Sequence, residues 1–135
     1  MSLKIKVVFA VCLCFAFALV SFQQVKTLKG TWLYCGDVFN GKTEGAPTEY
    51  SLERKYSKDK FESFLLEKGE KPDKYETGDY TLNADTCTET QTFSAQDSKL
   101  LNVPVKYIYT VKNDTLTLSG TLPNGSVVKE FWKRK

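Results

Sequence analysis

The sequence contains no histidine. That removes the commonest general base, the commonest metal ligand and the imidazole of any Ser-His or Cys-His nucleophile pair. Cysteine is scarce, with 4 in 135 residues. Cys12 and Cys14 lie inside an apolar run, which leaves Cys35 and Cys87. Two thiols without histidine do not make the usual four-ligand zinc site. A phosphate-cradling G-x-x-x-x-G-K-[ST] loop is absent too. No metal and no cofactor are therefore expected. Carboxylate pairs such as Glu76 with Asp79, or Glu62 with Glu67, fall on predicted strands and turns. They read as solvated charges, because no spacing rule selects a catalytic pair among them. No catalytic residue is assigned, and the expectation is a protein that is not an enzyme.

An excess of one charge is also missing. The chain has 19 basic and 16 acidic residues. Setting Lys4 and Lys6 aside leaves 17 basic against 16 acidic, interspersed along the chain. Nucleic-acid partners need a concentrated basic face, so none is expected. The Lys133-Arg134-Lys135 terminus reads as a solvated chain end.

The beginning of the chain reads as an export leader. Lys4 and Lys6 precede Val7–Val20, a run without a polar residue. This is the layout of a secretory signal peptide, and it is shorter than the roughly 20 residues of a spanning helix. Ala16-Phe17-Ala18 fits small-x-small cleavage, and Ser21 offers a later point. The reading is residues 1–22 as signal peptide and 23–135 as one domain, secreted or periplasmic, without a stable membrane span after leader removal. Cys12 and Cys14 lack the small residues that precede a lipid-modified cysteine. Cys35 and Cys87 then form an even pair in an exported chain, which invites a disulfide. Such a bridge closes a long loop and would contribute about 4 kcal/mol. Two separate buried thiols in neighbouring strands are the alternative.

Beyond the leader the chain is rich in Tyr, Phe, Val, Thr and Leu, with turn residues at regular spacing. Eight strands are predicted, near 30–39, 48–56, 61–67, 74–82, 86–93, 103–111, 115–122 and 126–133. Asn40–Pro47 and Ser94–Asn102 read as the longest loops. Tight turns force antiparallel neighbours, and eight such strands remove their edges best by closing into a barrel. A two-sheet sandwich is the rival.

Alternation assigns the inner faces. Val103, Val105, Tyr107, Tyr109 and Val111 share one face, and Leu116, Leu118, Gly120 and Leu122 share another. Tyr50, Leu52, Arg54 and Tyr56 form a third. Phe64, Leu65 and Leu66 are consecutive, so that strand is either covered on both faces or leaves an outward patch.

Several motifs, taken in order, resemble one family. Leu28-Lys29-Gly30-Thr31-Trp32 resembles the first strand of the small secreted lipocalin-like (calycin-like) domains of bacteria. Gly78-Asp79-Tyr80-Thr81-Leu82 and Thr86-Cys87-Thr88-Glu89 resemble their middle hairpin. Asp114-Thr115-Leu116-Thr117-Leu118-Ser119-Gly120 and Glu130-Phe131-Trp132-Lys133-Arg134 resemble their ending. The resemblance implies an all-β, eight-stranded antiparallel up-and-down barrel, lipocalin-like, behind the signal peptide. It gives Gly30, Trp32 and Arg134 structural roles, with Trp32 plugging the closed end beneath Arg134.

The expected function is binding of a small hydrophobic or amphipathic molecule. Tyr50, Leu52, Arg54, Tyr107 and Tyr109 are the candidate ligand-binding residues. If the face of Tyr50, Leu52, Arg54 and Tyr56 points inward, the Arg54 guanidinium can grip a carboxylate bidentately; the alternative is a strand shifted by one residue, or an Arg54 that snorkels at the rim. The alternative is a filled barrel that meets a protein partner through rim loops or the Phe64-Leu65-Leu66 face.

Overall fold

The computed structural model describes residues 27–135. The leader read at 1–22, with Cys12 and Cys14, lies outside the described residues.

Nine strands occur in the order β1 (Gly30–Phe39), β2 (Lys42–Gly45), β3 (Ser51–Tyr56), β4 (Lys60–Leu66), β5 (Asp73–Asn83), β6 (Thr86–Ser94), β7 (Pro104–Lys112), β8 (Thr115–Thr121) and β9 (Val127–Arg134). From β3 to β9 each strand pairs antiparallel with the next. β1 pairs with β3 on one side and β9 on the other. The β1–β9 pairing closes eight strands into a barrel and excludes the two-sheet sandwich. The ninth strand, β2, folds back on the second half of β1.

Turn chemistry explains the meander. Asn40 and Gly41 both have positive φ, at 48° and 83°, between the paired ends Phe39 and Lys42. That is the two-residue hairpin for which Asn-Gly is suited. The polar segment expected to be a loop from Asn40 to Pro47 therefore contains a short strand. Conversely, the strand expected from Thr48 starts only at Ser51.

Register shifts mark bulges in β1, β5 and β6. In β1, Tyr34 pairs with Trp132 and Gly36 with Phe131, so Cys35 is the extra residue. Gly36 has φ +131°, and a Cβ there would sit 2.5 Å from the Glu44 carbonyl oxygen. In β5, Ser63 of β4 faces Glu76 while Phe64 faces Lys74, so Tyr75 is extra. A bulge re-aims the side chains beside it. Gly120 serves a different purpose: a Cβ there would lie 2.8 Å from the Tyr107 ring, which rests against the bare backbone.

The core fills one end. Leu28 and Trp32 are fully buried, and Tyr56, Phe61, Tyr80, Cys87, Tyr109 and Leu116 pack with them. Trp32 donates its indole N–H to the Leu28 carbonyl at 2.8 Å. Arg134 Cζ lies 4.2 Å from the centre of the Trp32 ring, and its Nη1 donates to the Lys29 carbonyl at 3.0 Å. Gly30 has φ +127°, and a Cβ there would stand 3.1 Å from Arg134 Nη1. These residues seal the base of the barrel.

The expected Cys35–Cys87 bridge is not formed; both cysteines are free. Cys35 is exposed at the β1 bulge, whereas Cys87 is buried in β6. β6 pairs with β5 and β7, not with β1, so the two thiols lie on non-adjacent strands and on opposite sides of the barrel wall. Disulfide geometry needs Cβ vectors that converge.

Candidate functional site

Arg54 sits inside the barrel, on the face that also carries Leu52 and Tyr56. β4 brings Ser63 opposite Arg54, β5 contributes Glu76, and β6 contributes Glu89 from the same face as Cys87 and Gln91. Arg54 Nε donates to Ser63 Oγ at 3.0 Å. Its Nη2 donates to Glu76 Oε2 at 3.0 Å, and its Nη1 to Glu89 Oε2 at 3.2 Å. Tyr56 donates to the other Glu89 oxygen at 2.5 Å. The guanidinium is also flanked by rings: Cζ lies 4.9 Å from the centre of Phe61 and 4.8 Å from that of Trp132.

The titrations reflect this packing. Burial pulls the Arg54 guanidinium down, but Glu89, Tyr56 and Glu76 outweigh it and hold the group charged. Burial pushes Glu89 above the usual carboxylate range, against the opposing pull of Arg54 and Tyr56. Burial, then the Glu89 charge, keeps the Tyr56 phenol protonated. Burial also pushes the Cys87 thiol well up, with Glu89 adding to it. A protonated buried thiol is a poor nucleophile. The arrangement neutralises and positions charge.

The network continues outward. Gln91 Nε2 donates to Glu76 Oε1 at 3.0 Å, and Ser98 Oγ donates to Gln91 Oε1. Leu100 N–H donates to Ser98 Oγ at 3.1 Å. The Ser94–Asn102 connection is thereby tied to the polar layer, with Leu100 packed against the core.

Above that layer, at the end opposite Trp32, lies a cavity of about 370 Å³. Tyr34, Phe39, Leu52, Tyr75, Leu100, Tyr107, Leu122, Val128 and Trp132 supply its apolar and aromatic wall. Asp37, Glu76, Glu89 and Glu130 line it as carboxylates, and Arg54 as its cation. The bulges shape this lining: Tyr34 and Asp37 both reach it across the β1 bulge, as do the consecutive residues Tyr75 and Glu76 of β5.

Of the five residues expected to bind ligand, Leu52, Arg54 and Tyr107 line the cavity. Tyr50 does not. It precedes β3, is 38% exposed, and borders a shallow surface groove with Leu65, Ser94 and Gln96. The alternation that places it inside breaks where the strand stops. Tyr109 is buried in the core below the cavity and acts as filler. Arg54 is inside but is not a free anion anchor, because Glu76 and Glu89 already occupy both of its Nη groups.

Glu76, Glu89, Glu130 and Asp37 are site residues that sequence reasoning misses. Glu76 reads as solvated from the sequence; instead it is largely buried against Arg54. Its expected companion Asp79 faces outward and pairs with Lys60 at 2.6 Å. Glu62 pairs with Lys74 at 2.8 Å rather than with Glu67. The Phe64 ring of the apolar Phe64-Leu65-Leu66 run is flanked by Lys55 and Lys74.

A closed up-and-down barrel of eight strands, filled at its base and hollow at its mouth, defines a cup. Barrels of this size hold at most one small guest. Among solved structures the chain is similar to a mutant of the fluorescent protein UnaG, at 12% identity and a TM-score of 0.39, over 80% of this chain and 96% of that one. No family model matches the sequence, and no curated protein matches it.

Proposed function

We infer that this protein is an exported, non-catalytic barrel that holds a small hydrophobic or amphipathic molecule in its upper half. The cavity carries the reading. Ligand pockets run upward from about 300 Å³ and combine apolar walls with a few placed polar groups. This one measures about 370 Å³, and its wall sets nine apolar or aromatic residues beside five charged ones. The charged n-region and apolar run near the start of the sequence support export to a secreted or periplasmic location. Interspersed surface charge supports a small-molecule partner rather than nucleic acid. No helix among the described residues is long and apolar enough to cross a membrane.

Native mass spectrometry of the protein purified from its own host tests this directly. A retained guest appears as added mass that is lost on denaturation. Protein that carries no added mass, and that takes up no apolar or amphipathic probe in solution, overturns the reading in favour of a scaffold for protein contacts.

A further inference from the structure

The charges lining the cavity narrow the class of guest, on the reading that the cavity is a binding site. Asp37 on β1 and Glu130 on β9 are direct cross-strand partners. Both line the cavity. Like charges placed directly opposite across an antiparallel pair repel one another. A structural pair of this kind normally has a lysine or arginine beside it. Here neither carboxylate forms an ion pair among the described residues. Lys129 and Lys133 alternate with Glu130 on β9 and are exposed on the outer face.

The two acids keep spare acceptor capacity. Burial, then a side-chain hydrogen bond to Asp37, pushes the Tyr34 phenol up, yet Asp37 Oδ1 is buried with no hydrogen-bond partner among the described residues. Glu130 Oε2 accepts the Trp132 indole N–H at 2.9 Å. Arg54, the cation lining the cavity, is engaged by Glu76 and Glu89. Four carboxylates therefore face one guanidinium that is already paired. An organic anion entering this space meets a surplus of its own charge.

The aromatic wall points the same way. Tyr34 and Trp132 meet edge to face at 5.2 Å, directly beside the two acids in the β1–β9 register. Tyr75 and Tyr107 add two more rings to the cavity wall. Aromatic faces attract cations, most strongly where water is excluded. A bare metal ion suits the site less well, because no group of three or more acidic or thiol side chains converges on a common point among the described residues.

We propose that the cavity binds a small organic cation, a protonated amine with an apolar or aromatic body. The ammonium N–H groups donate to Asp37 Oδ1 and to Glu130, and the body lies against Tyr34, Tyr75, Tyr107 and Trp132.

Three probes of similar size decide it: 2-phenylethylammonium, 2-phenylethanol and 3-phenylpropanoate, each titrated into the full exported chain by calorimetry. The ammonium is expected to bind roughly tenfold or more tightly than the alcohol, as a charge-assisted hydrogen bond allows. The propanoate is expected not to bind measurably. Asp37→Asn and Glu130→Gln should each weaken the ammonium by roughly tenfold and the alcohol by less, so the ammonium's preference over the alcohol shrinks. The two variants are independent, so one that folds suffices, and a melting curve checks each. Alcohol or propanoate binding as tightly as the ammonium overturns the cation inference while the cup reading stands. Calcium chloride that binds and excludes the ammonium overturns it in favour of a metal. Failure of all three probes, together with no retained mass in host-purified protein, removes the cup reading itself.

Discussion

Replacing Arg54 with methionine isolates the charge that the barrel buries. Methionine keeps an unbranched, polarizable chain between Phe61 and Trp132, where sulfur–ring contacts replace the guanidinium sandwich. The packing loss is therefore small and the charge loss dominates. Glu76 and Glu89, both largely buried, are left without their countercharge. Breaking a buried pair in this way costs about 3–5 kcal/mol. That is a large share of a typical domain stability of roughly 5–15 kcal/mol. For a barrel of about 110 residues it lowers Tm by roughly 10–25 °C. The companion is the triple variant Arg54→Met, Glu76→Gln, Glu89→Gln. It removes the stranded charges and keeps acceptors for Ser63, Tyr56 and Gln91, so it recovers most of the loss. Urea melts at pH 7 with a constant m value give both numbers. A triple variant no more stable than Arg54→Met, or a single variant within about 1 kcal/mol of the parent, refutes the idea that paired charge holds this layer together.

Other expectations rest on the same packing. Trp32→Ala, at the fully buried base, should cost roughly 3–5 kcal/mol, and an unchanged melting temperature refutes its role as a plug. Gly120→Ala places a Cβ 2.7 Å from the Lys106 carbonyl oxygen and 2.8 Å from the Tyr107 ring, so a loss of about 1–3 kcal/mol is expected in chemical denaturation. Without reductant, iodoacetamide should label Cys35 in the native protein and Cys87 only after unfolding; a Cys35–Cys87 cross-linked peptide in the map contradicts the structure. Glu89 is raised by burial, so below its folded pKa the native state binds a proton that the unfolded state takes up only near the ordinary carboxylate value. Its contribution to stability therefore grows as pH falls through that window and is lost as pH rises through the folded pKa. The stability difference between the parent and Glu89→Gln should shift in the parent's favour on acidification from pH 7 towards 4.5, and a shift the other way sinks the assignment.

Most of the barrel is legible because turns and alternation speak locally. Asn40-Gly41, Ala84-Asp85 and Asn113-Asp114 each mark a reversal, and each has positive φ at one or both residues. Tyr107 alternates with outward residues without interruption from Val105 to Tyr109, and there the inner face is the one that alternation assigns. β2 is not legible. Lys42–Gly45 is polar and fully exposed, and it is a strand only because the Asn40-Gly41 turn folds it against β1. Of its four residues Thr43 alone favours a strand, while Lys42, Glu44 and Gly45 belong to types depleted there.

The site divides along the same line. Glu89 alternates with Cys87, and Glu130 alternates with Val128 and Trp132. Parity makes both acids readable as inward, against the habit of putting carboxylates in solvent. Asp37 is not readable. Counting from Trp32 and Tyr34 places it outside, and only the extra residue Cys35 restores it to the interior. Tyr75 and Glu76 are adjacent in sequence, so strict alternation allows one of them inside; the β5 bulge admits both. The cavity's character thus comes from positions where the period of two fails. A bulge leaves its extra residue out of the ladder and disrupts the pairing locally, so it persists where the surrounding structure fixes it. In β1 the close approach of Gly36 to the Glu44 carbonyl does so, since any side chain there would collide with β2. The short outer strand that looks like a loop in the sequence is thereby linked to the inward turn of Asp37, the carboxylate whose buried oxygen has no partner among the described residues.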